Sequence, residues 1–332
     1  MVTLIHYSNI LTLLIAISIL IPGCTSEEDQ QVTIPETSPG TEIVLLEFEN
    51  YLGNSQNIHP KVLYFENGWQ GYEFWMAYTP YPNGFTYAEN PCLAVSHDGI
   101  NWGIPFGLTN PLALTPKNGY NSDTHLVYDE GEDRMEIWWR PYDLSMGDKI
   151  VRSLSNDGVI WSEPETVMDY NDKDCNRLSP AIWIEDGKYL MIYSDGRNLW
   201  LTSADNSDSE FQWSDPEILP IEWGELGAWH QDIIQNNDGS YELIVCAYEK
   251  GVSTNNLANL YYLWIDSDLE YFSTPKLLIE RGKREKDFDH RSIYRSSIVK
   301  VNGKTYIYYS AIDEYWKRHM ALKIFDSWIS YQ

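Results

Sequence analysis

Apolar runs of strand length recur five times along the chain, and each run starts at a polar residue. The runs are HPKVLYF (59–65), DTHLVYD (123–129), SPAIWIE (179–185), HQDIIQN (230–236) and RSSIVKV (295–301). After each run comes a short turn that contains Gly, and then a strand rich in aromatic residues, such as RMEIWWR or KTYIYYSAI. Turns of the Asx-Gly type between such strands are typical of tight β-hairpins. The pattern therefore predicts an antiparallel β-unit that is repeated five times.

The spacing of these units indicates the fold. The units begin at His59, Asp123, Ser179, His230 and Arg295. Successive starts lie 64, 56, 51 and 65 residues apart, and no segment of helical periodicity separates the strands. Repeats of more than about 40 residues with four short strands each are typical of β-propellers. We predict an all-β fold, a five-bladed β-propeller over residues 42–332, in which EIVLLEFE (42–49) supplies the outer strand of the fifth blade.

A second repeated feature is the sequence Ser-x-Asp-Gly-x-x-Trp, which occurs at residues 96–102 and 155–161. A degenerate copy, SADNSDSEFQW, lies at 203–213. Each copy falls between the third and fourth strands of its unit, and the motif resembles the Asp-box of sialidases and other propellers. Its Asp can cap its own turn, its Gly accepts a positive φ and its Trp packs between blades. We predict a structural role for it, with the chemistry at the opposite face of the propeller.

Composition narrows the classes of protein that fit. The chain has 332 residues, of which 14% are aromatic, with 14 Trp and 24 Tyr, so it is not a disordered protein. Its formal net charge is −26, which repels the phosphates of nucleic acids. We expect no nucleic-acid partner, and we predict a monomer.

The N-terminus has the features of a targeting segment. Residues 1–23 contain no Asp, Glu, Lys or Arg, and LIPGC ends a short apolar run at Cys24. LIPGC resembles the lipobox of bacterial lipoproteins, which implies a signal peptide (1–23), a lipid on Cys24 and a flexible tether (24–41). TSEEDQQ after Cys24 resembles a surface-export signal, so we expect anchoring at the outer membrane, on the cell surface or otherwise facing the periplasm.

Three further cysteines, Cys92, Cys175 and Cys246, have no short spacing between them. An odd number without such spacing argues against a disulfide framework or a zinc site made of thiols. Cys92 and Cys246 lie in apolar strand-like runs, and we predict that they are buried thiols.

The starts of the innermost strands surround the central funnel of a propeller, and here all five starting residues are polar. The loops after the second strands bring further carboxylates, arginines and aromatic rings to the same face. Aromatic rings stack on sugars, charged groups bind hydroxyls, and paired carboxylates supply an acid with a base or nucleophile. The combination predicts a carbohydrate substrate.

The blade count and the polar strand starts, such as HPKVLYF and SPAIWIE, resemble the five-bladed propeller glycoside hydrolases of families 43, 32, 68 and 117. The resemblance covers about residues 45–332 and implies glycoside hydrolysis by carboxylates in the funnel. In families 43 and 32, acidic residues open the first and third blades and lie near the start of the fourth. This sequence has His59, Ser179 and His230 there, so the carboxylate pair must come from other positions.

Asp123 is the only carboxylate among the five starting residues, so it is the first catalytic candidate, as base or nucleophile. Glu89 is the second candidate, as general acid, and Asp232 is a reserve. The predicted substrate-binding residues are His59, His125, Arg140, Arg177, His230, Arg295, Tyr81 and Glu225. Each has a structural alternative: Asp123 can pair with Arg295 or His59, and Asp232 can fix the tautomer of a histidine. The arginines can clamp an acidic sugar or simply balance the acidic residues of the protein.

Three functions follow from these residues. The first is a glycoside hydrolase that acts on a polysaccharide or oligosaccharide by carboxylate acid/base catalysis. The second is a glycan-binding surface lipoprotein without catalysis. The third is a metal-dependent hydrolase or lyase that uses Asp123 and the histidines as ligands. The sequence motifs themselves assign no cofactor.

Overall fold

The structure is a computed structural model that describes residues 42–143, 147–170, 178–205, 211–252 and 257–326. The predicted signal peptide, Cys24, the tether, Cys175 and Arg177 lie outside these ranges, so their roles remain predictions. Among the described residues, no helix is long and apolar enough to span a membrane.

Within the described ranges the chain forms nineteen strands in five antiparallel sheets. Blade 1 contains β2 (Asn57–Trp69), β3 (Tyr72–Pro80) and β4 (Cys92–Ser96). Blade 2 contains β5 (Gly119–Asp129), β6 (Arg134–Asp143), β7 (Gly147–Ser155) and β8 (Glu165–Tyr170). Blade 3 contains β9 (Leu178–Glu185), β10 (Lys188–Ser194), β11 (Leu199–Asp205) and β12 (Glu217–Ile218). Blade 4 contains β13 (Leu226–Gln235), β14 (Tyr241–Glu249), β15 (Asn259–Ile265) and β16 (Lys276–Ile279). Blade 5 contains β17 (Ser292–Val301), β18 (Lys304–Ile312), β19 (Arg318–Phe325) and β1 (Val44–Leu45). Two short 3-10 turns, Pro82–Gly84 and Thr86–Ala88, lie between β3 and β4.

The five innermost strands, β2, β5, β9, β13 and β17, contact one another in a closed ring. The all-β fold and the five-bladed β-propeller predicted from the repeat are confirmed. The apolar core lies mainly between neighbouring blades. Trp75 of blade 1 packs with Trp139 of blade 2, and Val62 of blade 1 packs with Leu322 of blade 5. The alternating apolar residues of each strand are therefore buried on both faces of a blade.

The ring is closed by the start of the described chain. Val44 pairs with Leu322 and Leu45 with Ala321, so β1 is the outer strand of blade 5, as EIVLLEFE predicts. Beyond β1, the backbone N–H of Leu46 donates to the carbonyl oxygen of Met320 at 2.8 Å. The side chains of Leu46 and Phe48 are buried against blades 1 and 5. Strands from both ends of the described chain thus share one sheet.

The Asp-box turns have the predicted structural role. Asp98 accepts the backbone N–H groups of Ile100 and Asn101 at 2.8 and 2.7 Å, while Gly99 has a φ of 75°. The ring of Trp102 lies 5.9 Å from that of Tyr308 in blade 5, so it packs between blades. Asp157 caps the second copy in the same way. Part of the third copy lies outside the described residues.

Cys92 and Cys246 are both buried free thiols, which confirms their predicted state. Burial raises the pKa of each thiol above its ordinary value, so neither is a reactive thiolate at neutral pH.

The closure of blade 5 can be tested with two neighbouring leucines. Leu46 is 3% exposed, whereas Leu45 on the other face of the same segment is 42% exposed. We expect Leu46→Ala to lower the free energy of unfolding by about 2–5 kcal/mol because it leaves a cavity between blades. Leu45→Ala is the matched control, with an expected loss below about 1 kcal/mol. Urea unfolding measures both, and equal losses would contradict a stabilising role for this segment.

Candidate active site

Irregular backbone positions the residues that open the innermost strands. The pairing register of the first two strands shifts at this level in every blade. His59, Asp123 and Ser179 have φ angles of 57°, 56° and 53°, which non-glycine residues rarely adopt. Such bulges turn a side chain away from its regular direction and are common next to active sites. Here they bring side chains from neighbouring blades to one point on the axis.

Asp123 lies at the centre of this group. Its Oδ2 atom accepts a hydrogen bond from Arg140 Nε at 2.9 Å, and its Oδ1 atom accepts one from Ser179 Oγ at 3.1 Å. Oδ1 also lies 3.6 Å from His59 Nε2, 3.8 Å from His230 Nδ1 and 3.7 Å from Arg295 Nη1. Side chains from all five blades, on β2, β6, β9, β13 and β17, thus surround this one carboxylate.

The charge state of Asp123 follows from these neighbours. Burial raises the pKa of Asp123, but the positive charges of Arg140 and Arg295 lower it well below its ordinary value. Asp123 is therefore a buried carboxylate that stays ionised.

The two histidines beside Asp123 are uncharged. Burial lowers the pKa of His59 to about 3 and that of His230 well below its ordinary value. His59 Nδ1 lies 2.9 Å from Thr79 Oγ1, and His230 Nδ1 is hydrogen-bonded with Ser179 Oγ. The Nε2 atoms of both rings are buried without a hydrogen-bond partner among the described residues. Each ring therefore keeps one nitrogen available to a ligand.

His59, Asp123 and His230 form a group that can hold a metal ion. Each offers one ligand atom, and these atoms lie within 4.8 Å of one another. Two neutral imidazoles and an ionised carboxylate are donors that Zn²⁺ and other divalent first-row ions accept. This is the only such group of three or more His, Cys, Asp or Glu residues in the described part of the chain.

Glu89 is the second carboxyl group of the site, and its environment is the opposite of that of Asp123. It is buried, and its burial together with the negative charge of Asp123 raises its pKa well above the ordinary value. Arg140, Arg318 and the phenol of Tyr81 act in the opposite direction and lower that pKa, but burial prevails. The surroundings therefore favour the protonated form of Glu89 and the ionised form of Asp123.

The reserve candidate, Asp232, is placed in a different layer. Its Oδ1 accepts from Lys61 Nζ at 2.7 Å, and its Oδ2 accepts from the backbone N–H of Ile298 at 3.0 Å. His125 lies in the same layer, with Nε2 at 2.9 Å from the carbonyl oxygen of Ile182. The axial edges of the innermost strands have no strand partner, so these side chains satisfy backbone groups of neighbouring blades. This layer joins blades, and Arg295 connects it to the Asp123 group, with its Nη2 atom 3.4 Å from His125 Nδ1.

Only some of the remaining predicted substrate-binding residues lie at the site. Arg140 and Arg295 lie beside Asp123, and Tyr81 acts on Glu89, while their role in substrate binding stays a prediction. Glu225 is exposed before β13, and no described contact joins it to Asp123.

Sequence reasoning missed Arg318, which is buried under the loop between β18 and β19. Its guanidinium carbon lies 4.8 Å from the centre of the Tyr81 ring. One sequence feature could have indicated Arg318 as a site residue. It lies in AIDEYWKRH, at the start of a third strand and on the funnel face.

No protein-family model matches the chain. The chain is similar to the A type blood N-acetyl-alpha-D-galactosamine deacetylase of Flavonifractor plautii, with 25% identity over 370 residues. The similarity covers 92% of this chain and 46% of the deacetylase. The chain thus spans about half the length of this curated relative.

Solved structures extend the comparison. An N-acetylgalactosamine deacetylase from F. plautii, in complex with blood group B trisaccharide, superposes with a TM-score of 0.74. The two are 21% identical, over 86% of this chain and 94% of that chain. A thermostable family-43 glycoside hydrolase superposes with a TM-score of 0.57 at 11% identity, over 81% of this chain and 88% of that chain. The architectural resemblance to family 43 is confirmed, and these likenesses establish the fold.

The role of Asp232 is testable by removing its charge. Asp232→Asn leaves Lys61 buried without its counter-charge, so we expect the free energy of unfolding to fall by about 3–5 kcal/mol. The control is Asp326→Asn, since Asp326 accepts from Lys304 Nζ at the same 2.7 Å in an exposed pair. We expect that control to leave the melting temperature unchanged. Lost activity at unchanged stability would instead make Asp232 catalytic.

The buried histidines make stability depend on pH. Below about pH 6.5 the unfolded chain protonates histidines that the folded chain keeps neutral, because burial lowers the pKa of His59, His125 and His230. Stability is therefore greatest above that pH and decreases as the pH falls. The raised pKa of Glu89 has the opposite effect on stability, because it favours the folded state as the pH falls. The three histidines outnumber this single group, so the net stability still decreases.

We expect the free energy of unfolding to fall between pH 7 and pH 5, by up to about 1.4 kcal/mol per histidine and pH unit. Urea unfolding at several pH values measures this slope. The control is Leu45→Ala, which changes an exposed side chain without a titratable group and should leave the slope unchanged. A slope that is flat over this range would contradict neutral buried histidines.

Proposed function

We propose that this chain is a glycan-acting hydrolase that removes the acetyl group from an N-acetylated sugar bound in the funnel. The observation that carries the proposal is the buried group of two neutral imidazoles and one ionised carboxylate, His59, His230 and Asp123. The similarity to the F. plautii deacetylase, which covers 92% of this chain, supports the same class of reaction.

The group fits a divalent cation. Both imidazoles are uncharged and each keeps a buried Nε2 atom without a partner among the described residues, while Arg140 holds the other oxygen of Asp123. Because the hydrogen bonds to Thr79 and Ser179 hold the rings, little reorganisation is needed for binding. A cation bound there would lower the pKa of a water molecule and polarise the acyl oxygen.

The other residues of the site supply proton transfer and orientation. Hydrolysis of the amide adds water to the acyl carbon, breaks the C–N bond and leaves acetate and an amino sugar. Burial raises the pKa of Glu89 and favours its protonated form, so Glu89 can give a proton to the departing nitrogen. The Nε and Nη1 atoms of Arg295 are buried without hydrogen-bond partners, so they can donate to the acyl oxygen as it gains charge.

Glycoside hydrolysis is a second candidate, and one observation favours it. Asp123 is ionised and Glu89 is protonated, and their neighbours drive the two pKa values apart. This division of charge is the one that a carboxylate nucleophile or base and a general acid need. The fold shared with a family-43 glycoside hydrolase agrees with this candidate.

One experiment separates the candidates. The protein is incubated with a panel of N-acetylated glycans, and both acetate and new reducing ends are measured, with EDTA and after restoring Zn²⁺. We expect acetate release that EDTA abolishes and Zn²⁺ restores. We expect Asp123→Asn to lower kcat/KM at least ~100-fold. Asp268→Asn, an exposed aspartate of blade 4, is the matched control.

Two other results would contradict the proposed deacetylation. If new reducing ends form and EDTA does not prevent their formation, the chain is a glycosidase and not a deacetylase. Binding of glycans without either product would favour the glycan-binding lipoprotein that the sequence leaves open.

A further inference from the structure

Four exposed aromatic side chains lie on the loops beside the funnel. Phe85 and Tyr87, on the loop between β3 and β4, are 51% and 64% exposed. Tyr315 and Trp316, on the loop between β18 and β19, are 76% and 40% exposed. We call these four residues the aromatic rim. Adjacent large rings left in water are uncommon on a protein surface and mark a place where something binds.

The two loops of the rim form one surface. Gln56 Oε1 accepts the backbone N–H of Asn83 at 3.0 Å and that of Arg318 at 3.1 Å, so a single side chain holds both loops. The guanidinium of Arg318 also lies against Gly84, where a Cβ atom would come within 3.2 Å of it. The two loops that carry the rings therefore meet at Arg318, whose guanidinium carbon also lies 5.8 Å from the centre of the Trp316 ring.

The rim is ordered before any ligand arrives. The rings of Phe85 and Tyr87 lie 5.6 Å apart at 31°, and the guanidinium carbon of Arg291 lies 4.2 Å from the centre of the Trp316 ring. Asp313 accepts the backbone N–H groups of Tyr315 and Lys317, each at 2.9 Å. A surface held in this way loses little conformational entropy on binding.

The rim continues directly into the site. Arg318 lies over the ring of Tyr81, and both side chains act on the pKa of the buried Glu89. The carbonyl oxygen of Glu89 accepts the backbone N–H of Asn121 at 3.1 Å, so Glu89 lies beside the strand that carries Asp123. The path from the reacting group to the exposed rings thus passes through two side chains. A ligand that occupies the funnel and is longer than one sugar unit has the rim beside it.

We propose that the aromatic rim binds the sugar units that follow the acetylated sugar in a longer glycan. The C–H faces of these units stack on the exposed rings, and charged side chains such as Arg291 and Glu314 bind their hydroxyls. The proposal rests on the proposed function and names its substrate as an oligosaccharide or polysaccharide rather than a free monosaccharide. The net charge of −26 opposes the other occupants, an anionic membrane or a second copy of the chain.

The test compares a short and a long substrate. The full protein acts on free N-acetylgalactosamine and on a tetrasaccharide that ends in it, and KM and kcat are measured for each. We expect Tyr315→Ala and Phe85→Ala to raise KM about 3- to 10-fold for the tetrasaccharide and to leave the monosaccharide unchanged. Tyr271→Ala, which removes a 45% exposed ring from the loop between β15 and β16 on the opposite face, should change neither.

A binding measurement tests the aromatic rim independently of catalysis. Calorimetry measures the affinity of Asp123→Asn for the tetrasaccharide, with and without Tyr315→Ala, and does not depend on turnover. Weaker binding with Tyr315→Ala supports the rim even where the wild type releases no acetate. Equal effects on both substrates, or none on either, would overturn the proposal. Loss of dimers or of binding to vesicles of anionic lipid in Tyr315→Ala, with glycan affinity unchanged, would also overturn it.

Discussion

The funnel depends on one buried negative charge, the carboxylate of Asp123. Taking a carboxylate out of water is costly, and here Arg140 and Ser179 offset that cost through hydrogen bonds, with Arg295 close by. Burial raises the pKa of Glu89, and the negative charge of Asp123 in the same buried space raises it further. The buried charge of Asp123 thus adds to the difference between the pKa values of the two carboxyl groups.

The local charge of the site is opposite to that of the whole protein. The chain has a net charge of −26, yet Arg140 and Arg295 lie beside the ionised Asp123, and Arg318 acts on Glu89. Three guanidinium groups are therefore concentrated in the innermost part of the funnel. A site of this kind can stabilise negative charge that develops on an oxygen atom of a ligand, as both proposed reactions require.

The sequence was a good guide to the fold for a physical reason. Each blade repeats an alternation that buries apolar residues on both faces, so the period of the repeat carries the architecture. The outer strand from residues 42–49 followed from a missing strand in the fifth unit, and the Asp-box turns followed from the capping chemistry of Asp and Gly. These features depend on residues close in the chain or on the count of strands.

The site was harder to predict from the sequence than the fold, because its contacts join residues far apart in the chain. Asp232 looks catalytic as an acidic residue near a strand start, but its partner is Lys61, 171 positions away. Arg318 reaches the site from the start of β19, and its place in AIDEYWKRH indicates the funnel face but not its contact with Tyr81. The direction of the side chains of His59, Asp123 and Ser179 depends on bulges. The alternation of apolar and polar residues in a strand does not predict where a bulge occurs.

Those bulges also limit how the site can change during evolution. His59, Asp123 and Ser179 occupy left-handed backbone that β-branched side chains rarely adopt, while Asn, Asp, His and Gly adopt it more readily. Substitutions that preserve the fold at these positions are therefore drawn mostly from short polar residues. These include the side chains that bind metals and transfer protons, so neutral drift at the axis repeatedly samples reactive groups. A propeller with this backbone can exchange one hydrolytic chemistry for another without first rebuilding its ring of blades.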